Sequence, residues 1–345
     1  MSKPNPILIE VLRGTMVESR HHGAAAIVDA GGSVVAAWGD IERPVYARSA
    51  IKPLQALPLI ETGAADRFAL GDEEIALACA SHSGEPEHVR HVEHWLARIG
   101  LTSSDLECGP HAPFNEEASA ALLRTGASPS ALHNNCSGKH TGFLTAAVHL
   151  GFATRGYIQP DHPVQRHWQE VLAQMSGTDL TSAPTGVDGC GIPVRGLSLR
   201  ATAAAMAQLA APVRLASVRA AAAGRVLRAM ANAPFMVAGS GRFCTEVMRH
   251  AGAQVAVKTG AEGVYVAALP GKQLGVALKI DDGAARAAEL AMATILCSLG
   301  VFDDATSRAL APFLQPVVYN RAGLAVGTLR AAPEWLHELR LPAAV

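Results

Sequence analysis

The distribution of hydrophobic positions along the chain predicts strands near both ends and helices between them. Residues 7–14 and 24–39 are rich in Ile and Val, and an Asp-Ala-Gly-Gly turn interrupts the second run, which predicts a hairpin. Three further β-rich runs, separated by turn sequences containing Gly or Pro, cover residues 254–258, 263–269 and 273–280. Both ends of the chain are therefore expected to share one antiparallel sheet.

The interior of the chain has helical periodicity. The strongest amphipathic pattern covers residues 86–99 and ends at Gly100. Other helical patterns occupy residues 55–62, 116–124, 141–150, 163–175, 199–230 and, after an Asp-Asp-Gly turn, a stretch to about residue 299. These patterns predict an α/β protein of the α+β type, with an antiparallel sheet from the N- and C-terminal segments and a central helical lobe.

We expect one domain over residues 1–345, since no repeat or linker divides the chain. Its sheet lobe would comprise about 1–48 and 245–345, and its helical lobe about 53–235. A ligand site is expected in the cleft between these lobes.

Composition narrows the function classes. The 345 residues are 49% hydrophobic and 17% charged, which is typical of an ordered globular enzyme. Lys and Arg (29) nearly balance Asp and Glu (30), so no basic excess favours nucleic acid or an anionic membrane as partner. Residues 1–10 lack the long apolar core of a signal peptide, so we do not expect one. No uncharged run of about 20 apolar residues is present, and six scattered cysteines indicate free thiols. We expect a cytoplasmic protein.

A serine and a lysine stand three positions apart at Ser49 and Lys52, within the sequence Arg-Ser-Ala-Ile-Lys. Residues i and i+3 of one helical or 3₁₀ turn share a face, so a lysine amine can reach the serine hydroxyl as a Ser-Lys nucleophile pair requires. The alternative is a serine that caps an exposed helix start. Pro53 disfavours α conformation at Lys52, which predicts a tight turn with a helix beginning at Pro53.

Two more motifs strengthen the Ser-Lys hypothesis. Ser81 lies in the sequence Ala-Ser-His-Ser-Gly-Glu at residues 80–85, and Lys258 begins a Lys-Thr-Gly sequence at a probable strand end. This order of motifs is that of active-site-serine β-lactamases and penicillin-binding proteins, although Ser83 stands where those proteins have Asn. Lys258 alone is equally well explained as a solvated residue at a strand end.

The chemistry requires the two lysines to converge. At pH 7 an ordinary lysine amine is neutral in only about one molecule in 2,500. Lowering its pKa by about three units, through burial or a second ammonium group, would make roughly a third of it a usable base. Lys52 and Lys258 are therefore expected in one buried pocket, with the backbone N–H groups of Gly84 and Gly260 as a possible oxyanion hole.

Two thiols lie in Gly-rich loops some fifty residues apart, Cys136 and Cys190. Thiolates bind zinc, but no Cys-x-x-Cys spacing is present, and buried free cysteines are the commoner outcome. If a metal binds, His140 or Asp188 would be the natural additional ligand.

A series of four histidines could suggest a second metal face, but the charged residues around it predict a solvated surface instead. Its members are His82, His88, His91 and His94.

Four segments together resemble a known family. Residues 48–52, 80–85, 134–142 and 188–193 are similar to the Rhizobium etli-type L-asparaginases, also called class 3 or the "asparaginase II" family. The resemblance covers nearly the whole chain. It implies a fold like that of serine β-lactamases and glutaminases, a homodimer, and hydrolysis of L-asparagine to L-aspartate and ammonia.

The resemblance also implies roles for individual residues. Ser49 matches the nucleophile and Lys52 its activating base, while Ser81 and Lys258 match a second Ser-Lys pair. Cys136, Lys139 and Cys190 match the ligands of one zinc ion per chain, which we expect to position the substrate rather than to activate water. This ligand set replaces the one suggested by the residues alone. Four residues would then lie around the metal or contact the substrate: Arg48, Asn134, His140 and Asp188.

Three alternatives stay open at the sequence level. A penicillin-recognising serine hydrolase would share the Ser-Lys chemistry. A glutaminase differs in its substrate by one methylene, which is worth only about 1–3 kcal/mol in a pocket. A non-catalytic amino-acid-binding protein could keep the fold, although four intact Ser and Lys residues argue against loss of the site.

Overall fold

The computed structural model describes residues 4–339. Within them, the strands form one large and one small sheet. The strands are β1 (Ile7–Arg13), β2 (Met16–Asp29), β3 (Val34–Trp38), β4 (Val45–Tyr46), β5 (Thr185–Val187), β6 (Pro193–Leu197), β7 (Ala256–Thr259), β8 (Val264–Leu269), β9 (Leu274–Ile280), β10 (Val317–Tyr319) and β11 (Ala325–Ala331).

The large sheet interleaves the two ends of the chain. Its order is β10-β11-β1-β2-β9-β8-β7, and every pairing is antiparallel. The long strand β2 pairs with β1 through its first half, with β3 through its second half, and with β9 along its other edge. The predicted fold class, an antiparallel sheet from N- and C-terminal segments beside a helical region, is confirmed.

Helices occupy most of the remaining chain. They are α1 (Lys52–Gln55), α2 (Leu57–Glu61), α3 (Ala64–Arg67), α4 (Asp72–Ala78), α5 (Pro86–Arg98), α6 (Glu116–Arg124), α7 (Ser137–Leu150), α8 (Pro163–Ser176), α9 (Leu199–Ala210), α10 (Ser217–Asn232), α11 (Pro234–Ala238), α12 (Phe243–Ala251), α13 (Ala285–Ser298), α14 (Asp304–Ala309), α15 (Ala311–Leu314) and α16 (Pro333–Glu338). Over residues 4–339, none of them has both the length and the hydrophobicity to cross a bilayer.

Prolines explain two differences from the predicted helices. The pattern over 199–230 is two helices, α9 and α10, because the intervening segment contains Pro212, which cannot continue a helix. The pattern over 55–62 is split at Ala56, and the new helix α2 has Pro58 in its first turn, where its missing N–H is tolerated. Helix α7 starts four residues earlier than predicted, at Ser137, which proves important for the site.

Helices cover the centre of the large sheet, whose strands are buried on both faces. All six residues of β8 are buried, without the alternation of a half-solvated strand. Helix α9 contacts β2, β8 and β9, and helix α13 contacts β1, β8, β9 and β11. Gly275 on β9 permits the closest approach, because a Cβ there would overlap the backbone of Ala203 and Ala207 in α9.

The small sheet was not predicted from the sequence. Its order is β4-β6-β5, and it joins the end of the N-terminal segment to a hairpin from the middle of the chain. The strands β4 and β5 have two and three residues, too few for a periodic signal. This sheet brings residues 48 and 188 together, and so builds one wall of the cavity described below.

The approach of α9 to β9 gives a test of packing. Gly275→Ala should lower the free energy of unfolding by about 1–3 kcal/mol or more, because the added methyl group meets backbone that cannot rotate away. Gly224→Ala is the matched control, since Gly224 is an exposed position of α10 with no atom within 4 Å of its added Cβ. It should be neutral or stabilising by up to about 1 kcal/mol. Chemical denaturation of both variants measures the difference, and equal stability would contradict this account of the interface.

Candidate active site

A cavity of about 380 Å³ opens where the small sheet, the loop after α4, the start of α7 and the end of β7 meet. Seven of the eleven predicted site residues line it: Arg48, Ser49, Ser81, Asn134, Cys136, Asp188 and Cys190. The other four, Lys52, Lys139, His140 and Lys258, are buried.

The segment that carries Ser49 is a 3₁₀ turn, Arg48–Ile51, followed directly by α1. Helix α1 begins at Lys52, one residue before the predicted Pro53. Arg48 has a left-handed φ of +50°, which is uncommon outside glycine and is typical of functional turns. Gly260 allows the end of β7 to lie against this turn, because a Cβ there would be 2.7 Å from the Ala47 carbonyl oxygen.

Ser81 lies between the two predicted catalytic lysines. Its hydroxyl is 3.0 Å from Lys52 Nζ and 2.8 Å from Lys258 Nζ, and its residue is 5% exposed. The Lys52 amine also donates to the Ala80 carbonyl and to Cys136 Sγ, the latter at 3.1 Å. Three distant segments therefore converge on one hydroxyl, as the predicted convergence of the lysines requires.

Ser49 is half-buried in the cavity wall beside this cluster. Within the described part of the chain, its hydroxyl makes no hydrogen bond to Lys52 or to any other residue. Although Lys52 is only three positions after Ser49, its amine contacts the Ser81 hydroxyl instead. Both serines therefore line one cavity, but only the Ser81 hydroxyl contacts the two lysine amines.

The environment of Lys258 suits a general base. Its side chain is 1% exposed, and its amine donates to the carbonyl of Thr259 at 2.8 Å as well as contacting Ser81. Burial, followed by the nearby Lys52 ammonium, lowers the pKa of Lys258 to about 7. A substantial fraction of this amine is therefore neutral at neutral pH.

The three predicted metal ligands also converge. Lys139 Nζ is 3.0 Å from Cys190 Sγ, and the thiols of Cys136 and Cys190 are close enough for each to shift the pKa of the other. Gly138 makes this possible, because a Cβ there would overlap the backbone of Leu77 and hold α7 away from α4. Among the described residues, no group of three His, Cys, Asp or Glu side chains could hold a metal ion. The predicted ligand set differs from such a group because its third member is the amine of Lys139.

The charge states of this cluster follow from the interactions among its members. The thiol of Cys136 lowers the pKa of Cys190 to about 5, while interaction with Cys190 and burial raise the pKa of Cys136 to about 12. Cys190 is therefore the thiolate of the pair and Cys136 the thiol. Burial lowers the pKa of Lys139, but the two sulfurs outweigh it and raise the pKa above its ordinary value. Two soft sulfurs and one amine within contact distance fit a zinc ion that replaces these protons.

Asn134 holds the loop that leads into α7. Its amide donates to the carbonyls of Cys108 and Gly109, at 2.9 and 3.0 Å, and its Oδ1 accepts from the N–H of Cys136 at 2.9 Å. These bonds fix the backbone at the start of α7, so Asn134 positions Cys136.

His140 lies behind the cavity. Its Nδ1 is 2.7 Å from the Tyr157 hydroxyl, and its Nε2 has no partner among residues 4–339. Burial holds the pKa of this imidazole well below its usual value, so the ring is neutral.

Arg48 and Asp188 form an ion pair across the small sheet. The guanidinium is 2.7 and 2.9 Å from Asp188 Oδ1, which also accepts from the N–H of Gly189 at 2.8 Å. Burial favours the neutral carboxyl, but Lys139 and then Arg48 outweigh it and lower the pKa of Asp188. The charge of Arg48 is therefore neutralised within the cavity wall.

Two predictions for this region are wrong. The N–H groups of Gly84 and Gly260 are not free for an oxyanion hole, because they donate to His82 Nδ1 and to the Val264 carbonyl. His82 and His88 are fully buried rather than solvated. His88 lies on the buried stripe of α5 with Val92, Trp95 and Leu96, and its ring stacks between those of His82 and Phe235.

The sequence also left one site residue unnoticed. Arg242 lines the cavity directly before α12, after a Gly-Ser-Gly turn. That turn sequence ahead of a helix was the available signal, but a single arginine has no distinguishing spacing.

The fold and the site together define a mixed α/β protein with a buried serine–lysine centre, the arrangement that lysine-assisted serine nucleophiles use. The chain belongs to the L-asparaginase II family, whose model matches residues 9–331. This membership makes it an asparaginase-type amidohydrolase. No curated protein matches the chain significantly.

Several solved structures are similar in overall arrangement. A β-lactamase from Mycobacterium bovis is 14% identical, with 84% of this chain and 94% of that chain covered and a TM-score of 0.37. A class C β-lactamase from Rhodobacter sphaeroides is 14% identical, with 79% and 92% covered and a TM-score of 0.40. Mglu in its native form is 14% identical, with 82% and 65% covered and a TM-score of 0.44. Likeness at this level does not identify an activity.

The pKa of Lys258 predicts a pH dependence. A lysine base accepts a proton only when neutral, so kcat/KM for amide hydrolysis should rise as the pH increases through about 7 and then level off. Lys258→Arg should lower kcat/KM by about 10²–10⁴-fold, because a guanidinium stays protonated. Lys279→Arg, on strand β9, which β8 separates from the strand of Lys258, is the control and should keep the wild-type profile. If the rise of kcat/KM with pH were unchanged in Lys258→Arg, the titrating group would be a residue other than Lys258.

Proposed function

We propose that the protein is an L-asparaginase of the Rhizobium etli type, which hydrolyses L-asparagine to L-aspartate and ammonia through an acyl-enzyme. The observation that carries the proposal is the convergence of the Lys52 and Lys258 amines on Ser81, which lines the same cavity as Ser49, in a chain of the L-asparaginase II family.

Ser49 is the proposed nucleophile because its hydroxyl lies in the cavity wall and is not engaged by another described residue. Lys52 first passes a proton through the Ser81 hydroxyl to the neutral Lys258 amine, and its own amine is then neutral. The Ser49 oxygen attacks the side-chain carbonyl carbon of asparagine while this neutral Lys52 amine accepts the hydroxyl proton. Hydrogen bonds of this kind often tighten only when substrate binds, so a longer separation in the structure is compatible with the role. The leaving nitrogen takes a proton and departs as ammonia, and water then hydrolyses the β-aspartyl ester.

Ser81 connects the two lysines in this scheme. Its hydroxyl contacts both amines, so it can pass a proton from Lys52 to Lys258. Lys258, with its pKa lowered to about 7, is the group able to hold or release that proton near neutral pH. The same contacts make Ser81 the second candidate nucleophile, because its hydroxyl is the one that both lysines touch.

Alanine variants distinguish the two serines. Ser49→Ala should lower kcat for ammonia release from asparagine by more than about 10³-fold, since it removes the attacking atom. Ser81→Ala should lower kcat by about 10²–10⁴-fold, as expected for a proton-transfer residue. Trapping with substrate and mass spectrometry should find the acyl group in Ser81→Ala but not in Ser49→Ala. Near-normal turnover by Ser49→Ala, with the acyl group on Ser81, would make Ser81 the nucleophile and contradict the role proposed for Ser49.

The same assay separates the alternative substrates. Ammonia release from asparagine, well above that from glutamine and without cleavage of nitrocefin, supports an asparaginase. Preference for glutamine would indicate a glutaminase, and cleavage of nitrocefin would indicate a penicillin-recognising hydrolase. Binding of asparagine without ammonia release would indicate a non-catalytic binding protein.

A zinc ion held by Cys136, Lys139 and Cys190 is part of the proposal. The contact between the Lys139 amine and Cys190, and the mutual pKa shifts of the two thiols, support it. When bound, zinc would supply a positive charge that orients the substrate, and two thiolates would limit its strength as a Lewis acid. The Arg48–Asp188 ion pair lies beside these ligands and would keep Asp188 ionised and oriented.

Metal analysis tests this site. Protein purified without added zinc should hold about one zinc ion per chain, and Cys136→Ala should hold clearly less because one of three ligands is lost. Cys297→Ala is the control, since Cys297 is an exposed thiol on α13. Equal zinc contents in wild type, Cys136→Ala and Cys297→Ala would place the metal elsewhere.

Two further properties stay proposals drawn from family resemblance and composition. They are assembly as a homodimer, which solution mass measurements would test, and a cytoplasmic location, which fractionation would test.

A further inference from the structure

Arg242 has an unusual position among the charged groups of the cavity. Arg242 is half-buried and lines the cavity. No carboxylate of residues 4–339 lies within ion-pair distance of its guanidinium. Its one hydrogen bond to a described residue runs from Nη1 to Ser83 Oγ, at 3.3 Å. A guanidinium has five N–H donors, so most of its capacity is unused.

The turn that precedes Arg242 is held in place by hydrogen bonds and close packing. The preceding turn uses Gly239 at φ +108°, where a Cβ would lie 2.8 Å from Ser83 Oγ. Glu85 accepts from the backbone N–H and the hydroxyl of Ser240, at 2.8 and 2.7 Å, and Ser83 donates to the Ala238 carbonyl at 2.7 Å. The turn is thereby fastened to the loop that carries Ser81, and Arg242 is the N-cap of α12.

The other cations of the site are already neutralised or engaged. Arg48 is paired with Asp188 at 2.7 Å, and Lys52 and Lys258 donate to Ser81 and to backbone carbonyls. Of the two guanidinium groups that line the cavity, Arg242 is therefore the one with a positive charge available to an anion. A planar fork of donors matches the geometry of a carboxylate.

We infer that Arg242 binds the α-carboxylate of the substrate and restricts the site to free α-amino acids that carry a side-chain amide. This inference rests on the proposed function and extends it from the reacting amide to the other end of the molecule. Asparagine within a peptide has no α-carboxylate and would be rejected. Arg242 is thus a specificity-determining residue. Its position is set by the turn at Ser240, which is hydrogen-bonded to Glu85 in the loop that carries Ser81.

The test compares two substrates that differ in this carboxylate. L-Asparagine has it, and β-alaninamide keeps the amide and the amine but lacks it. Arg242→Gln should raise KM for L-asparagine by roughly 10- to 150-fold, the loss expected for a charge-assisted hydrogen-bonded pair, and leave KM for β-alaninamide nearly unchanged. Arg242→Lys, with a point charge instead of a fork, should recover part of the discrimination. Arg249→Gln, an exposed residue of the same helix paired with Glu246, is the control and should match wild type.

The outcomes separate this inference from the proposed function. Normal turnover of asparagine with an unchanged KM in Arg242→Gln, or an equal rise of KM for both substrates, overturns the inference alone. If wild type releases no ammonia from either compound, the proposed function fails. Calorimetric binding of L-aspartate then decides the subsite: a loss of more than about tenfold in affinity in Arg242→Gln supports it, and equal or absent binding overturns it. Thermal melting confirms that each variant is folded.

Discussion

The burial of three lysine amines is the constraint on which the rest of this structure depends. Lys52, Lys139 and Lys258 are 0, 2 and 1% exposed. A buried charge is strongly unfavourable unless it is hydrogen-bonded or paired, or unless its pKa moves until the group is neutral. Lys139 is paired with a thiolate, Lys258 has a lowered pKa, and Lys52 donates to a carbonyl, a hydroxyl and a sulfur.

These partners come from segments that are far apart along the chain. Ser81 follows α4, Cys136 precedes α7, Cys190 lies between β5 and β6, and Lys258 belongs to β7. A shift of any of these segments would remove a hydrogen-bond partner from a buried lysine amine. The glycines at their contacts, Gly138 between α7 and α4 and Gly260 between β7 and the turn of Ser49, allow the backbones to approach closely enough. Packing of small residues is thus a condition for the chemistry of the site.

The interleaved sheet supplies the frame. Because β2 pairs with β9, and β8 and β7 follow, the end of β7 from the C-terminal part lies against the turn that carries Ser49 from the N-terminal part. The small sheet then adds residues 48 and 188 to the cavity lining as an ion pair. The two arginines of the cavity consequently differ: one is neutralised by a neighbour from the small sheet, and the other is held by a turn with its charge available.

The sequence by itself determined the broad architecture and the chemical inventory. Ile- and Val-rich runs bounded by turn sequences at both ends, and helical periodicity between them, predicted the shared antiparallel sheet, and the segments around Ser49, Ser81, Cys136 and Cys190 indicated the family. Tertiary structure alone decided that the Lys52 amine turns to Ser81, since a spacing of i and i+3 permits a contact without directing the side chain. It also decided that His88 is buried, that the N–H groups of Gly84 and Gly260 are occupied, and that Arg242 reaches the cavity. Local patterns report periodicity and turn chemistry, but partners supplied by distant segments exist only after the chain has folded.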